Sequence, residues 1–254
     1  MHRFIIESNW IEDDVIHIYD EELRHLSQVL RVRIGDRILV FDGSGAEYLA
    51  AVEDISKTSA VCKRLDISYP DVESSIEITL LQGLPKSDKM DFIVQKAVEL
   101  GVTKIVPVLT EFVAYRETKD YNQRIERWNR IAREATKQCG RTKLTPVMQP
   151  VTLKAAAREA SQDAAFFLNE HERKINLKAA LKWYTIKQGR RLSILAGPEG
   201  GISPDEAAYL AECGFLSITL GNRILRTETS SIAALAIIGH EMSGLYEKND
   251  LCSD

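Results

Sequence analysis

The sequence predicts an α/β protein in two parts: a small, mostly antiparallel β unit, then a mainly parallel sheet covered by helices. Three observations predict it. Up to Tyr69-Pro70-Asp71, runs of Val, Ile, Phe and Tyr recur at period two between turn residues, the mark of half-buried strands. Beyond that proline, strand-like and helix-like stretches alternate, the order that builds a parallel sheet. The 254 residues, 44% hydrophobic and 28% charged, suffice for one large or two unequal domains with a sizeable core. The expected division is 1–72 and 73–254.

The strands of the first part are RFIIE, VIHIY, DRILVFDG, AEYLAAVEDI and SAVCKRLDI, with Asp42-Gly43-Ser44-Gly45 as the clearest turn. Their even spacing is barrel-like. One helix, DEELRHLSQVL, interrupts them; Leu23, Leu26 and Leu30 share a face, and Asp20 is the expected N-cap. The second part opens on strand SIEITLLQG. Helix DKMDFIVQKAVELG follows, with Met90, Ile93, Val94, Ala97 and Leu100 at helical spacing and Gly101 as its stop. Next come strand TKIVPVL, helix NQRIERWNRIAREATKQCG, strands AAFFLN, SILAG and SITLG, and helix SSIAALAIIGHEMSGLY. His240 in that last helix reads as a packed core histidine.

Composition excludes several classes. The start MHRFIIESNWIEDD lacks the apolar region of a secretory signal, and no stretch reaches the roughly 18 apolar residues of a membrane span. Cys62, Cys139, Cys213 and Cys252 lie far apart, without zinc-ligand or disulfide-framework spacing. A cytoplasmic, metal-free protein is expected. There is no Walker-type loop, no G-x-G-x-x-G, no G-x-S-x-G, and no metal-ligand pairing among the five histidines.

Charge is uneven. The net charge is −4, yet residues 1–72 hold 8 Lys and Arg against 14 Asp and Glu, while residues 116–143 hold 9 against 4. Arg124, Arg127, Arg130, Arg133 and Lys137 project from one expected helix, with Arg141 and Lys143 just past its end. Such a cluster is either a phosphate-binding footprint or a solvated face laced by pairs such as Glu126–Arg130. In the β unit, Arg3, Arg24, His25, Arg31 and Arg33 form a second candidate basic edge.

Chemistry concentrates between Leu195 and Ser230. Strand SILAG runs into Gly197-Pro198-Glu199-Gly200-Gly201, and strand SITLG runs into Gly221 to Thr229, with Arg223, Arg226 and Glu228 set around Ile224 and Leu225. Glycines at strand exits let a backbone approach a ligand, and the carboxyl ends of parallel strands are where such sheets bind one. The first loop also serves as the turn into helix SPDEAAYLAEC, with Ser203 as N-cap and Pro204 at its first position. Arg226 either pairs with Glu228 on the surface or acts in the site. This inventory suits group transfer from a pre-activated cofactor.

Six blocks in order carry a family resemblance: MHRFI, RHLSQVLRVRIGD, LLQGLPKSDKMDFIVQKAVELGV, RWNRIAREATKQCGR, ILAGPEGGISPDE and LGNRILRTETSSIAAL. Over nearly its whole length the chain resembles the RsmE family, the ribosomal RNA small subunit methyltransferase E enzymes of the SPOUT superfamily. The resemblance implies an N-terminal PUA-like β-barrel over 1–72, a C-terminal SPOUT domain over 73–254 with a deep trefoil knot, and a homodimer. It implies S-adenosyl-L-methionine as cofactor and N3 of a uridine in the decoding region of 16S rRNA as the target, with the assembled small ribosomal subunit as the substrate. Carried over residue by residue, the cofactor site comprises Leu168 and Asn169 (with Glu170 beside them), Leu195, Ala196, Gly197, Pro198, Glu199, Gly200 and Gly201, and Leu220, Gly221, Ile224, Leu225 and Arg226. Ile224 and Leu225 are expected against the adenine.

One departure is Ser230-Ser231, where the resemblance leads to TETA followed by a small residue. Arg226 is the expected stabiliser of the anion developing on the base, and Glu199 or Glu228 the proton acceptor or orienting group. RNA contacts are expected from Arg3, Arg24, His25, Arg31, Arg33, Arg130, Arg133, Lys137 and Arg141. The alternatives are a knotted methyltransferase acting on another RNA or a ribose hydroxyl, and an rRNA-binding assembly factor without catalysis.

Overall fold

The computed structural model describes residues 1–86, 88–113, 121–161, 164–186 and 190–243. Arg116 and Lys119 of the basic tract, Cys252, and the end of the last expected helix lie outside them. The chain forms two compact units: Met1–Glu73 with Thr136–Leu144, and Ser74–Ala135 with Thr145–Asp254.

The first unit is a six-stranded sheet of β1 (Arg3–Ile5), β2 (Ile11–Glu12), β3 (Val15–Ile18), β4 (Arg37–Phe41), β5 (Glu47–Ile55) and β6 (Ala60–Ser68), in the order β1-β4-β5-β6-β3-β2. All pairings are antiparallel except β1 with β4. Period-two burial along β5 puts Tyr48, Ala50 and Val52 into the core with Phe4, Ile16, Ile18, Ile38 and Val40. The interrupting helix is α1 (Asp20–Arg24), which continues as a π-helical turn over His25–Val29. Leu23 and Leu26 are buried from it as their spacing requires. Asp20 is not the N-cap: Tyr19 holds that position without a side-chain bond, and Asp20 begins the helix at φ 51°.

Two ion pairs and the guanidinium of Arg3 fasten segment Thr136–Leu144 into this unit. Arg3 binds Glu47 (Nε to Oε1, 3.1 Å) and donates to the carbonyls of Thr136, Lys137 and Arg141, closing off a helix end whose carbonyls lack helical partners. Lys137 Nζ donates to Glu22 Oε1 at 2.8 Å. Arg141 donates through Nε and Nη2 to Glu73 Oε2, while Glu73 Oε1 accepts the N–H groups of Thr142 and Lys143.

Burial pushes the Glu73 carboxyl up, but the Arg141 guanidinium and the two N–H groups outweigh it and hold the group below its ordinary 4.5. A depressed folded-state pKa contributes stability that is complete above the unfolded value and is lost as pH falls through the folded one. Glu73→Gln is therefore expected to destabilise most at about pH 7 and progressively less in acid. Urea unfolding across that range checks it, and a deficit independent of pH would contradict it.

The second unit contains β7 (Glu77–Gly83), α2 (Lys89–Glu99), β8 (Lys104–Leu109), α3 (Asn122–Cys139, whose last turn enters the first unit), β9 (Val151–Thr152), α4 (Leu153–Ala160), β10 (Ala164–Leu168), α5 (Leu177–Ile186), β11 (Arg191–Ala196), α6 (Pro204–Glu212), β12 (Leu216–Ile218) and α7 (Thr227–Ser243). Its sheet runs β12-β10-β11-β7-β8-β9, parallel at every pair. Central β7 and β11 are buried almost continuously, as parallel strands covered on both faces must be.

On one face, Leu81, Val106, Val108, Phe167 and Leu195 share a core with Leu153, Ala156 and Ala157 of α4 and Leu210 of α6. Helices α2 and α5 each pack against α7, and α7 packs against β11. Three elements go beyond the sequence reading. Helix α4 has a stripe of alanines rather than large apolar residues, β9 has two residues, and α5 lies between AAFFLN and SILAG, where the sequence reading named no element. His240, read as a core residue, is exposed on α7.

Candidate functional site

Strands β12, β10 and β11 are parallel neighbours, so their carboxyl ends emerge side by side. The exits of all three line a single cavity of about 390 Å3: Leu168 to His171 after β10, the 197–202 loop after β11, and Thr219 to Arg226 after β12. Asn169 ties two of them, its N–H donating to Ile218 O and its Nδ2 to Ser217 Oγ. Gly201 (φ +74) closes the second loop by donating its N–H to Pro198 O at 2.9 Å, a conformation that favours glycine. A β-carbon on Gly197 would lie 3.0 Å from the carbonyl carbon of Gly201, so this loop folds upon itself without room for a side chain.

Helix α6 begins just beyond. Ser203 and Glu206 form a reciprocal capping box with Pro204 at the first helical position. This accounts for the Ser-Pro signal as the sequence suggested.

The cavity gathers Leu168, Asn169, Gly197, Pro198, Glu199, Gly201, Leu220, Gly221, Ile224, Leu225 and Arg226 of the expected cofactor residues. It does not gather three others. Leu195 and Ala196 are fully buried within β11, and Gly200 lies against Phe112, whose Cβ would be 2.6 Å from an added methyl. Ile224 lines the wall but is 80% exposed, leaving an apolar side chain at the rim. Arg223 and Arg226 are also exposed on this wall, and neither has an ion-pair partner among the described residues.

Glu228 pairs not with Arg226 but with Lys89, a residue the sequence reading did not single out. Lys89 Nζ lies 2.9 Å from Glu199 Oε1 and 3.3 Å from Glu228 Oε2. The second contact is ionic only, because the buried Glu228 Oε2 makes no hydrogen bond. Glu199 also accepts the Lys86 N–H with both oxygens, at 3.1 and 3.2 Å. The Glu199 carboxylate raises the Lys89 pKa against opposing burial. Burial raises that of Glu199, but Lys89 and backbone N–H groups bring it below its ordinary value. Glu199 is thus a committed anion and a weak base.

Behind the loops lies a buried neutral network. Gln82 Nε2 donates to Gly83 O and Thr227 Oγ1, Gln82 Oε1 accepts from Ser231 Oγ at 2.6 Å, and Thr227 Oγ1 donates to Gly197 O at 2.6 Å. Ser231, the departure noted above, is therefore small and also bonded. A lone glutamine at the end of the apolar strand EITLLQG was the available signal for Gln82. Lys89 stood in the block LLQGLPKSDKMDFIVQ without a partner that sequence alone identifies.

The sequence matches the RNA methyltransferase domain family over residues 72–239 and the RNA methyltransferase PUA domain over residues 18–63. It is 30% identical to ribosomal RNA small subunit methyltransferase E of Bacillus subtilis, covering 95% of this chain and 97% of that one. It is 31% identical to the enzyme of the same name from Rickettsia conorii, covering 92% and 93%. The chain belongs to the ribosomal RNA small subunit methyltransferase E family. The structure of the Neisseria gonorrhoeae family member, bound to S-adenosyl methionine, superimposes with a TM-score of 0.85 at 34% identity, over 95% of this chain and 98% of that one. The methyltransferase match spans all three cavity loops of this family member, and the PUA match lies within its first unit.

Residues expected to touch RNA divide into two groups. Arg24, Arg31, Arg33 and Arg130 are exposed, His25 and Arg133 half-buried, and His25 stands edge-on to Phe4. Arg3, Lys137 and Arg141 are instead turned inward into the ion pairs of the first unit, Lys137 and Arg141 only 8% and 4% exposed. Desolvated charges already paired with carboxylates are not available to phosphates. Charge counting alone cannot distinguish such groups from surface cations, which is why it overstated the basic footprint.

No group of three metal-ligating side chains occurs among the described residues. No helix among them is long and apolar enough to cross a membrane.

Proposed function

We propose that this chain methylates N3 of a uridine in the decoding region of 16S rRNA, within the small ribosomal subunit, using S-adenosyl-L-methionine. The observation that carries the reading is the convergence of three parallel-strand exits on one glycine-walled cavity flanked by two guanidinium groups that have no ion-pair partner among the described residues. Its volume of about 390 Å3 lies within the roughly 300–1,000 Å3 of small-molecule sites. Its lining suits an adenosyl cofactor: backbone of Gly197, Gly201, Leu220 and Leu225 for the polar edges, and Leu168, Ile218 and Leu225 for an apolar ring. The family relationship and the cofactor-bound relative support the same assignment.

S-adenosylmethionine, when bound, supplies an electrophilic methyl group. The protein's task is to bind, orient and balance charge. Uracil N3 must lose its proton before or during attack, and the base oxygens then carry the charge. Arg226, exposed, unpaired and on the cavity wall, is placed to stabilise that anion. Glu199 and Glu228 are held by Lys89, so they serve better as fixed charges than as proton acceptors. Proton loss to water fits this arrangement. The exposed Arg24, Arg31, Arg33 and Arg130 supply phosphate contacts. A trefoil knot in the second unit, a homodimer and a cytoplasmic location belong to the same proposal, as does a division of labour between an RNA-binding part near 1–72 and a catalytic part from 73.

Two measurements test it. Calorimetric titration with S-adenosylmethionine is expected to give one site per chain, whereas no binding would favour an rRNA-binding assembly factor. Nucleoside mass spectrometry of 16S rRNA from a deletion strain, with and without this gene, is expected to show 3-methyluridine only when the gene is present. A methylated ribose, or a methylated base in another RNA, would replace the proposed substrate.

A further inference from the structure

We infer that Lys89 is a positioning residue for methyl transfer: its ammonium spans the two cavity segments bearing Glu199 and Glu228 and keeps both carboxylates away from Arg226. The inference rests on the functional reading above and concerns a residue that reading does not require. Lys89 opens α2, Glu199 lies in the loop after β11, and Glu228 is the second residue of α7. One side chain therefore links three separate segments of chain. A lysine at a helix start opposes the helix dipole, and the first-turn carboxylate of α2, Asp91, is already paired with Arg127. The two carboxylates supply the compensation.

The neutral network already ties Gly197 to Thr227 by a direct hydrogen bond, with Gln82 bonded to Thr227 behind it. A second tie between the same segments is redundant if holding them together were its whole purpose. The two ties differ in exposure: Gln82 and Thr227 are buried, while the Lys89 side chain is 31% exposed. They also differ in charge. Two carboxylates and one ammonium leave the cluster at −1, on the same wall as the unpaired Arg223 and Arg226. Glu228 stands two residues from Arg226. Without Lys89 the carboxylates repel each other, and Arg226, two residues from Glu228 and on the same wall, is a cation that Glu228 can reach for. An Arg226 captured by Glu228 is neutralised and no longer free to meet an anionic base.

This account separates positioning from plain structure. The Lys89–Glu199 pair is about one-third exposed on both sides, and such pairs add little to global stability. The experiment uses the full chain, small subunits from a strain lacking the gene, and labelled S-adenosylmethionine. Lys89→Met is expected to lower kcat by about 10²-fold, as small misplacements of a reacting constellation do, with an unchanged melting temperature and a cofactor Kd within several-fold of wild type. Lys89→Arg is expected to keep most of the rate. The double variant Lys89→Met/Glu228→Gln is expected to recover at least tenfold over Lys89→Met, because the competitor for Arg226 is then neutral. A wild-type kcat in Lys89→Met, a loss explained by unfolding alone, or a double variant no faster than the single one would each overturn the role of Lys89 while the functional reading stands. A wild-type chain that binds no S-adenosylmethionine would overturn both.

Discussion

Arg226→Ala is expected to lower kcat for rRNA methylation by about 10²–10³-fold, the loss typical when one stabiliser of a developing anion is removed. The cofactor Kd should stay within a few-fold, because the loops that wall the cavity are held by backbone and by the Gln82 network rather than by this exposed side chain. The size of the effect follows from availability. Arg226 has no carboxylate partner among the described residues, so its charge is not already spent. Arg226→Lys is expected to recover part of the rate, as a cation without the planar fork. Single-turnover transfer at saturating cofactor measures both. If Arg226→Ala matched wild type there, the arginine would be a rim contact and Arg223 the next candidate.

The second large effect is on folding. Lys137→Met leaves the Glu22 carboxylate buried beside an Oε2 that already lacks a hydrogen bond. Breaking a buried pair from one side costs about 3–5 kcal/mol, which lowers the unfolding midpoint by on the order of 10 °C for a chain of this size. Removing both charges should cost far less, so Lys137→Met/Glu22→Leu is expected to recover most of the lost stability. Calorimetry of the two singles and the double gives the coupling directly. Were Lys137 a phosphate contact, the single variant would keep its stability and lose RNA affinity with a reduced salt slope. The inward geometry predicts the reverse.

These two residues also mark how far sequence reasoning reaches. Arg226 and Lys137 carry similar charge and both stand in blocks shared with the family, so sequence gave each a functional reading. Structure puts one on an open wall without a partner and the other at 8% exposure against Glu22. The difference lies in contacts between residues 115 positions apart in the chain, which no local pattern encodes. Lys89 was missed for the same reason. Its partners, Glu199 and Glu228, lie more than a hundred residues away.

Local physics was legible where it was local. Period-two runs and glycine-rich exits named the strands, the Ser203-Pro204 signal named the start of α6, and the change of rhythm after Tyr69-Pro70 separated β-rich from alternating chain. Weakly patterned pieces escaped, notably alanine-striped α4 and two-residue β9.

By itself, the sequence determined the α/β class, the family, and the two glycine-bearing strand exits after SILAG and SITLG, because strand period, turn chemistry and motif order are properties of adjacent residues. Only the tertiary structure decided which charges remain free. Parallel strands bring distant loops to one edge, and folding pairs Lys89, Lys137 and Arg141 with carboxylates from remote segments, the last two in the interior. Arg226 has no ion-pair partner among the described residues, and a cation without a partner at a cavity can answer a negative charge that arrives there.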